Sequence, residues 1–371
     1  LIDGTIFAAT DYRVLRSTDR GVTWSEVNVG LPEEVVYAVA VSPGYGVDHT
    51  VWAAVANVGI FRSTDQGDTW NPAYTGLTVP DVWAIAPSPQ YYLDHTVFAA
   101  TAGDGVYRST DGGLSWSAAR QGMGLALVWN MTLSPDYVRD HTLAASTGGG
   151  GIYVSTDGGS SWRSISSGLT DPLLWTVAFS PNYPSDHTLF AGSEAHGVFR
   201  SSNSGQSWLP SNAGLSDLHT FAVHFSPDYV RDRTVFLGTA GGCFRSQDSG
   251  GRWTYIGPIG GAGPASVWSL GLSPSYHTDK TLLAGTSDGI LYSTDRGSTW
   301  LQATTAMTLE QATVLSLAVP QGFAEQHIAL AGTDGLGILR STDSGRNWAF
   351  ANDGLQHQTV WVVVTSPRFA T

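Results

Sequence analysis

The 371-residue chain is expected to fold as an all-β protein: a single eight-bladed β-propeller of four-stranded blades over residues 1–371, closed by a composite blade drawn from both termini. Three observations predict this. The phrase Ser-x-Asp-x-Gly-x-x-Trp recurs from end to end, its eight copies closing at Trp24, Trp70, Trp116, Trp162, Trp208, Trp253, Trp300 and Trp348. Successive copies stand 46, 46, 46, 46, 45, 47 and 48 residues apart, and each period holds four short apolar runs, which is the content of one propeller blade. The last period breaks off after Val360 to Thr365, and its continuation, Asp3-Gly4-Thr5-Ile6-Phe7-Ala8-Ala9, lies at the other end of the chain. Joining the two ends removes the exposed sheet edges of an open array.

Residues 35–74 serve as the template. Val35 to Ser42 alternates as an inner strand, and Ser42-Pro43 ends it, because proline removes a ladder donor. Thr50 to Ala56 makes the second strand, Gly59 to Ser63 the third, and Trp70 opens the fourth. The same order places blades at about 358–371 with 1–29, then 35–74, 80–119, 126–165, 172–211, 219–256, 266–303 and 313–351.

The repeated phrase is turn chemistry between the third and fourth strands. Its carboxylate can accept backbone N–H groups, its glycine takes a positive φ, and its tryptophan supplies a large buried anchor. The positions are Asp19, Asp65, Asp111, Asp157, Asn203, Asp248, Asp295 and Asp343. Asn203 keeps the acceptor and loses the charge, so the role is structural. The phrase resembles the Asp box, or BNR repeat, of bacterial sialidases, sortilin-type receptors, xyloglucan-specific hydrolases and photosystem II assembly factors. That resemblance implies a propeller and, in that family, boxes on the side away from the active site.

A second phrase follows each inner strand, as in Ser42-Pro43 with Asp48-His49-Thr50. Its histidine becomes Arg233 and Lys280 in later copies while the aspartate and threonine stay. A ligand or general base would not be exchanged this way, so the histidine is expected to be a loop-bracing donor.

Composition narrows the function classes. A net charge of −13 with Lys280 as the one lysine disfavours nucleic-acid and peripheral-membrane binding. Cys243 is alone, so there is no disulfide or cysteine metal site, and it replaces small apolar residues of other blades. No run of 18 apolar residues occurs. The chain starts inside a repeat without a signal peptide and is expected to be a mature or excised domain. No Gly-rich phosphate loop, His-x-x-x-His or nucleophile elbow is present, and Asp-x-Gly lacks the acids of a calcium loop, so no cofactor and no metal are expected.

The box and Ser-Pro loops share one face. The opposite face carries the second-to-third loops and the blade-to-blade loops, which vary most between copies and are where binding or chemistry would be built. At the start of each inner strand stands Tyr37, Trp83, Trp129, Trp175, Phe221, Trp268 or Trp361, with Leu315 in the remaining blade. These rings either form an aromatic rim at the mouth of the central channel, suited to a glycan, or pack between blades. Acids occupy the same loops: Asp81 with Asp104, Asp171 with Glu194, and Glu310 with Asp334, with His196 beside Glu194. Paired carboxylates hydrolyse glycosides when suitably spaced, or simply keep a surface soluble. A sialidase resemblance would imply an arginine triad on this face, where only Arg13 and Arg120 are left.

The expected function is a secreted or cell-surface scaffold, monomeric, that binds a carbohydrate or protein through the variable face without catalysis. The rival is a glycoside hydrolase or polysaccharide lyase using acids such as Asp81, Asp104, Asp171 and Glu194. A third reading is a protein-assembly factor, with a protein partner and no sugar affinity.

Overall fold

The computed structural model describes residues 3–257, 265–305, 313–367 and 369. They form eight antiparallel sheets in a ring, each built of four strands in chain order, with the innermost strand at the channel. In the template blade the strands are Val36–Val41, Val51–Val55, Gly59–Ser63 and Asn71–Pro72. Closure comes from both ends of the chain. Val360–Thr365 pairs antiparallel with Ile6–Thr10, setting Ile6 opposite Thr365, and Val14–Ser17 and Ser25–Glu26 complete that blade. One sheet gains a fifth strand, Thr304–Thr305, parallel to Asn347–Phe350.

The second strands show why the ring holds. Val51–Val55, Val97–Thr101 and Leu143–Thr147 are buried at every position, because each strand is covered by a neighbouring blade on both faces. Their sequences therefore read as continuous small or apolar runs and not as alternations. The core is accordingly divided among the seams. In one of them Trp52, Ala54 and Ile60 of one blade pack on Val82, Val97, Ala99 and Tyr107 of the next.

Each box is closed by its own hydrogen bonds. Asp111 Oδ1 accepts from the Ser109 hydroxyl at 2.7 Å and the Ser115 N–H at 3.0 Å, and the Gly113 N–H donates to Ser109 Oγ at 2.7 Å. The Ser-to-Asp bond recurs in the other copies, with Asn203 accepting from Ser201 at 2.8 Å. In five of the eight copies the box tryptophan's indole N–H reaches beyond its own blade, whereas Trp348 donates to Gly345 of its own box. Trp70, Trp116, Trp162 and Trp253 donate their indole N–H to Val27, Ala73, Ala119 and Ser211 carbonyls of the preceding blade, at 2.6–2.7 Å. The anchor is thus a bolt across the seam.

The second phrase makes one helical turn, such as Tyr45–Asp48, whose capping residue is left-handed. His49, His95, His141, His187, Arg233, Lys280 and His327 all have φ between 47° and 58°. The bracing group is the aspartate: Asp48 accepts from the Ser42 hydroxyl at 2.6 Å and the Thr50 N–H at 2.9 Å. The histidine position is also the helix cap, with the His49 ring edge-on to Tyr45; the expected bracing is seen in one copy, where His327 Nδ1 lies 2.8 Å from the Ser344 hydroxyl of the box loop. A capping role places no demand on the imidazole, which is why Arg and Lys replace it. Cys243 is fully buried in a seam cluster.

Candidate functional site

The variable face is organised by one backbone irregularity repeated in every blade. In the template, Val36 pairs with Val55 and Ala38 with the adjacent Ala54, so Tyr37 is an extra residue, a β-bulge. The same shift falls at Trp83, Trp129, Trp175, Phe221, Trp268, Leu315 and Trp361. A bulge re-aims the side chain it carries and takes it out of the alternation. The residue before each bulge, Val36, Val82, Val128, Leu174, Thr220, Val267, Val314 or Val360, is at most 1% exposed. The bulged rings themselves are open: Tyr37 is 38% exposed, Trp83 36%, Trp175 37%, Trp268 44% and Trp361 42%. Because inner strands adjoin each other around the ring, these side chains form a collar at the channel mouth.

Part of the collar is continuous. Trp129 stacks on Trp175 with ring centres 4.4 Å apart, Trp175 meets Phe221 edge-on at 6.3 Å, and Phe221 stacks on Trp268 at 4.8 Å. Four adjacent blades therefore present one aromatic arc. Tyr37, Trp83 and Trp361 have no stacked aromatic neighbour among the described residues and are partly open to solvent.

The acids stand around this collar in two roles. Glu194 accepts the Trp175 indole N–H, and Asp11 accepts that of Trp361 at 2.8 Å. Asp11 and Glu194 occupy the same position, the first residue after the second strand of their blades. Asp11 was not singled out from the sequence; its alignment with Glu194 across the closing blade would have found it.

The remaining acids hold loops. Asp81 accepts the Asn57 N–H of the preceding blade at 2.8 Å. Asp104 is buried, ion-paired with Arg120 and hydrogen-bonded by the Thr78 hydroxyl at 2.6 Å and by the Tyr107 hydroxyl. Asp171 is buried and accepts the Leu173 N–H at 3.0 Å, the Ala195 N–H at 2.9 Å and His196 Nδ1 at 3.1 Å. Burial alone would raise its pKa, but these hydrogen bonds hold the carboxyl below its ordinary value. A general acid needs the opposite direction. Asp171 also leaves His196 as an exposed, oriented imidazole. Asp334 is exposed, and Glu310 lies outside the described residues.

The structure brings Trp175 to Glu194 and Asp171 to His196, but it ties Asp81 and Asp104 to different partners. Arg13 is paired with Glu26 at 3.4 Å and Glu33 at 2.8 Å, so both arginines of this face are engaged. Among the described residues no group of three His, Cys, Asp or Glu is placed to hold a metal ion. No helix among the described residues is long and apolar enough to cross a membrane.

No protein-family model matches the chain, and no curated protein matches it in sequence. Solved structures do match in fold. A GH74 xyloglucanase from Xanthomonas campestris shares 18% identity and a TM-score of 0.61, over 86% of this chain and 55% of that one. YCF48 from Cyanidioschyzon merolae shares 15% identity and a TM-score of 0.55, over 83% of this chain and 96% of that one. The computationally designed Ika8 protein shares 14% identity and a TM-score of 0.63, over 89% and 90%. The chain spans just over half the length of the xyloglucanase structure. At these identities the likeness is one of fold: an Asp-box propeller similar to both hydrolases and non-hydrolases.

Proposed function

We propose that the chain is a non-catalytic binding scaffold that takes a protein segment on the face opposite its boxes. The observation that carries this reading is the bulged collar: every blade spends a backbone irregularity on turning one side chain, aromatic in seven of the eight, out of the alternation at the channel mouth. In the arc from Trp129 to Trp268 each ring gives one face to a stacked neighbour, so the arc is a joined aromatic surface and not a set of separate rings. A continuous apolar surface spanning four blades suits the length of an extended polypeptide segment better than a single sugar ring. A structure of the similar propeller YCF48 is described as bound to D1 peptide, at 19% identity and a TM-score of 0.53 over 77% of this chain. The acids support binding over hydrolysis, since three of the four candidates hold loops or an arginine and the fourth holds an indole.

Glycan binding is the second reading, favoured by the exposure of Tyr37, Trp83 and Trp361, which have no stacked aromatic neighbour among the described residues. A parallel screen of the protein against peptide and glycan arrays separates them. Retention of peptides that is lost in Trp175→Ala supports the first reading. Retention of glycans that is lost in Trp83→Ala selects the second. Turnover of a polysaccharide that is lost in Asp171→Asn or Glu194→Gln would overturn both.

A further inference from the structure

The box face carries a feature that neither the repeat nor the collar uses. At the seam between the blade containing Val198–Ser201 and the blade containing Thr220–Phe225 is a half-open pocket of about 160 Å³, lined by Arg200, Arg233, Tyr229, Ser249, Asn182 and Asp186 among others. We propose that this pocket binds a small tetrahedral oxyanion, of the phosphate or sulfate class, between the two guanidinium groups.

Comparison of the seams carries the inference. Six boxes are preceded by an arginine, and four of these hydrogen-bond to the next blade. Arg16 donates to the Gln66 carbonyl at 2.8 Å and pairs with Asp68 at 2.7 Å. Arg340 donates to the Arg20 carbonyl at 2.7 Å, Arg245 to the Arg296 carbonyl, and Arg108 to the Ser160 hydroxyl at 3.4 Å. Among the described residues Arg200 makes no such bond, and its Nε is buried without a partner, a feature it shares with Arg62 and Arg108. The loop residue facing it departs as well. Five blades carry His49, His95, His141, His187 or His327 at that position, and this blade carries Arg233. Arg233 is exposed, and among the described residues its guanidinium has no hydrogen-bond or ion-pair partner.

Asp186 does not neutralise them. Its carboxylate accepts the Ser180 hydroxyl at 2.7 Å and the Thr188 N–H at 2.9 Å, and it forms no ion pair with either arginine. Both arginines line one partly enclosed space, and the fork geometry of each guanidinium matches the oxygens of a tetrahedral anion. The volume is several times that needed by one water, enough for an ion of this size. The site lies on the face opposite the collar and does not depend on the reading given to the collar.

The test is thermal unfolding and calorimetric titration with sodium phosphate and sodium sulfate against sodium chloride at matched ionic strength. The expected result is a saturable rise in melting temperature with either oxyanion and none with chloride. Arg233→His, the residue other blades tolerate here, is expected to weaken binding at least tenfold while leaving the melting temperature in chloride unchanged. Arg200→Gln is expected to do the same. Methyl phosphate and methyl sulfate run alongside: binding as tight as the free ions supports the site with the oxyanion carried on a larger molecule, and binding of the free ions alone supports it with the ion itself. Equal stabilisation by chloride, or wild-type affinity in Arg233→His, would overturn the proposal.

Discussion

Asp111 shows how one side chain does several structural jobs. Burial alone would raise its pKa, but hydrogen bonds from the Ser115 side chain and N–H, Ser109 and the Leu114 N–H bring it down to about 2 from 3.8. Asp19, Asp65, Asp157, Asp248, Asp295 and Asp343 are lowered by the same pattern. A carboxylate with a depressed folded pKa stabilises the fold above its unfolded value, and that contribution is lost as pH falls through the folded value. Stability is therefore expected to drop between pH 4 and pH 2. Asp111→Asn, which copies Asn203, should flatten that drop in a denaturant titration at stepped pH; an unchanged slope would contradict the account. The two kinds of tryptophan make a second prediction. Trp52→Ala, in a fully buried seam, should cost about 3–5 kcal/mol, whereas Trp83→Ala at the collar should cost no more than about 1 kcal/mol, as measured by urea unfolding. The sequence distinguished the box tryptophans from the collar tryptophans by the phrase each belongs to and its place in the repeat, since both sets share one period. It left open whether the collar rings were packed or exposed, because both outcomes use the same residue types in the same strand. The bulge that settles their exposure is a matter of pairing register, and register is not written in composition.

At the scale of elements, the seam is the unit that holds the ring, and part of its signature went unread. Six residues after the box tryptophan comes a glycine in six blades: Gly30, Gly76, Gly122, Gly168, Gly214 and Gly354. Each has φ between 87° and 97°, and a Cβ added there would lie 1.9–2.2 Å from the carbonyl oxygen of the next blade's tryptophan. Gly122→Ala thus combines a disfavoured φ with a clash against backbone, and should destabilise by about 2 kcal/mol or more in thermal unfolding. A neutral result would mean that the seam yields more easily than its geometry implies. The regularity was available at the same period as the box. It is easily passed over because glycine offers no side chain to assign a task, and the contact it permits lies in the following repeat. The expected strands were recovered with trimmed ends, the fourth being only two residues in most blades, because beyond that point the chain turns away to reach the next seam.

For the whole molecule, closure is the feature the sequence made most legible, since a broken repeat at one end and its missing part at the other admit one arrangement. The pairing of Val360–Thr365 with Ile6–Thr10 ties the first residues to the last. A chain ending at residue 357 leaves the Ile6–Thr10 edge open, and is expected to lose cooperative unfolding and to self-associate in sedimentation velocity. A monomer of unchanged stability would refute the composite blade. The division of labour between the faces was less legible: the loops named the variable face, but only the paired register showed all eight blades aiming a side chain at the channel mouth. The most direct test is the affinity of the best array ligand for three proteins. These are wild type, the double variant Trp83→Ala with Trp175→Ala on the collar, and Asp111→Asn on the box face. The account predicts at least a tenfold loss for the collar variant and wild-type affinity for the box variant. The reverse order would move the binding surface to the other side of the ring and contradict it.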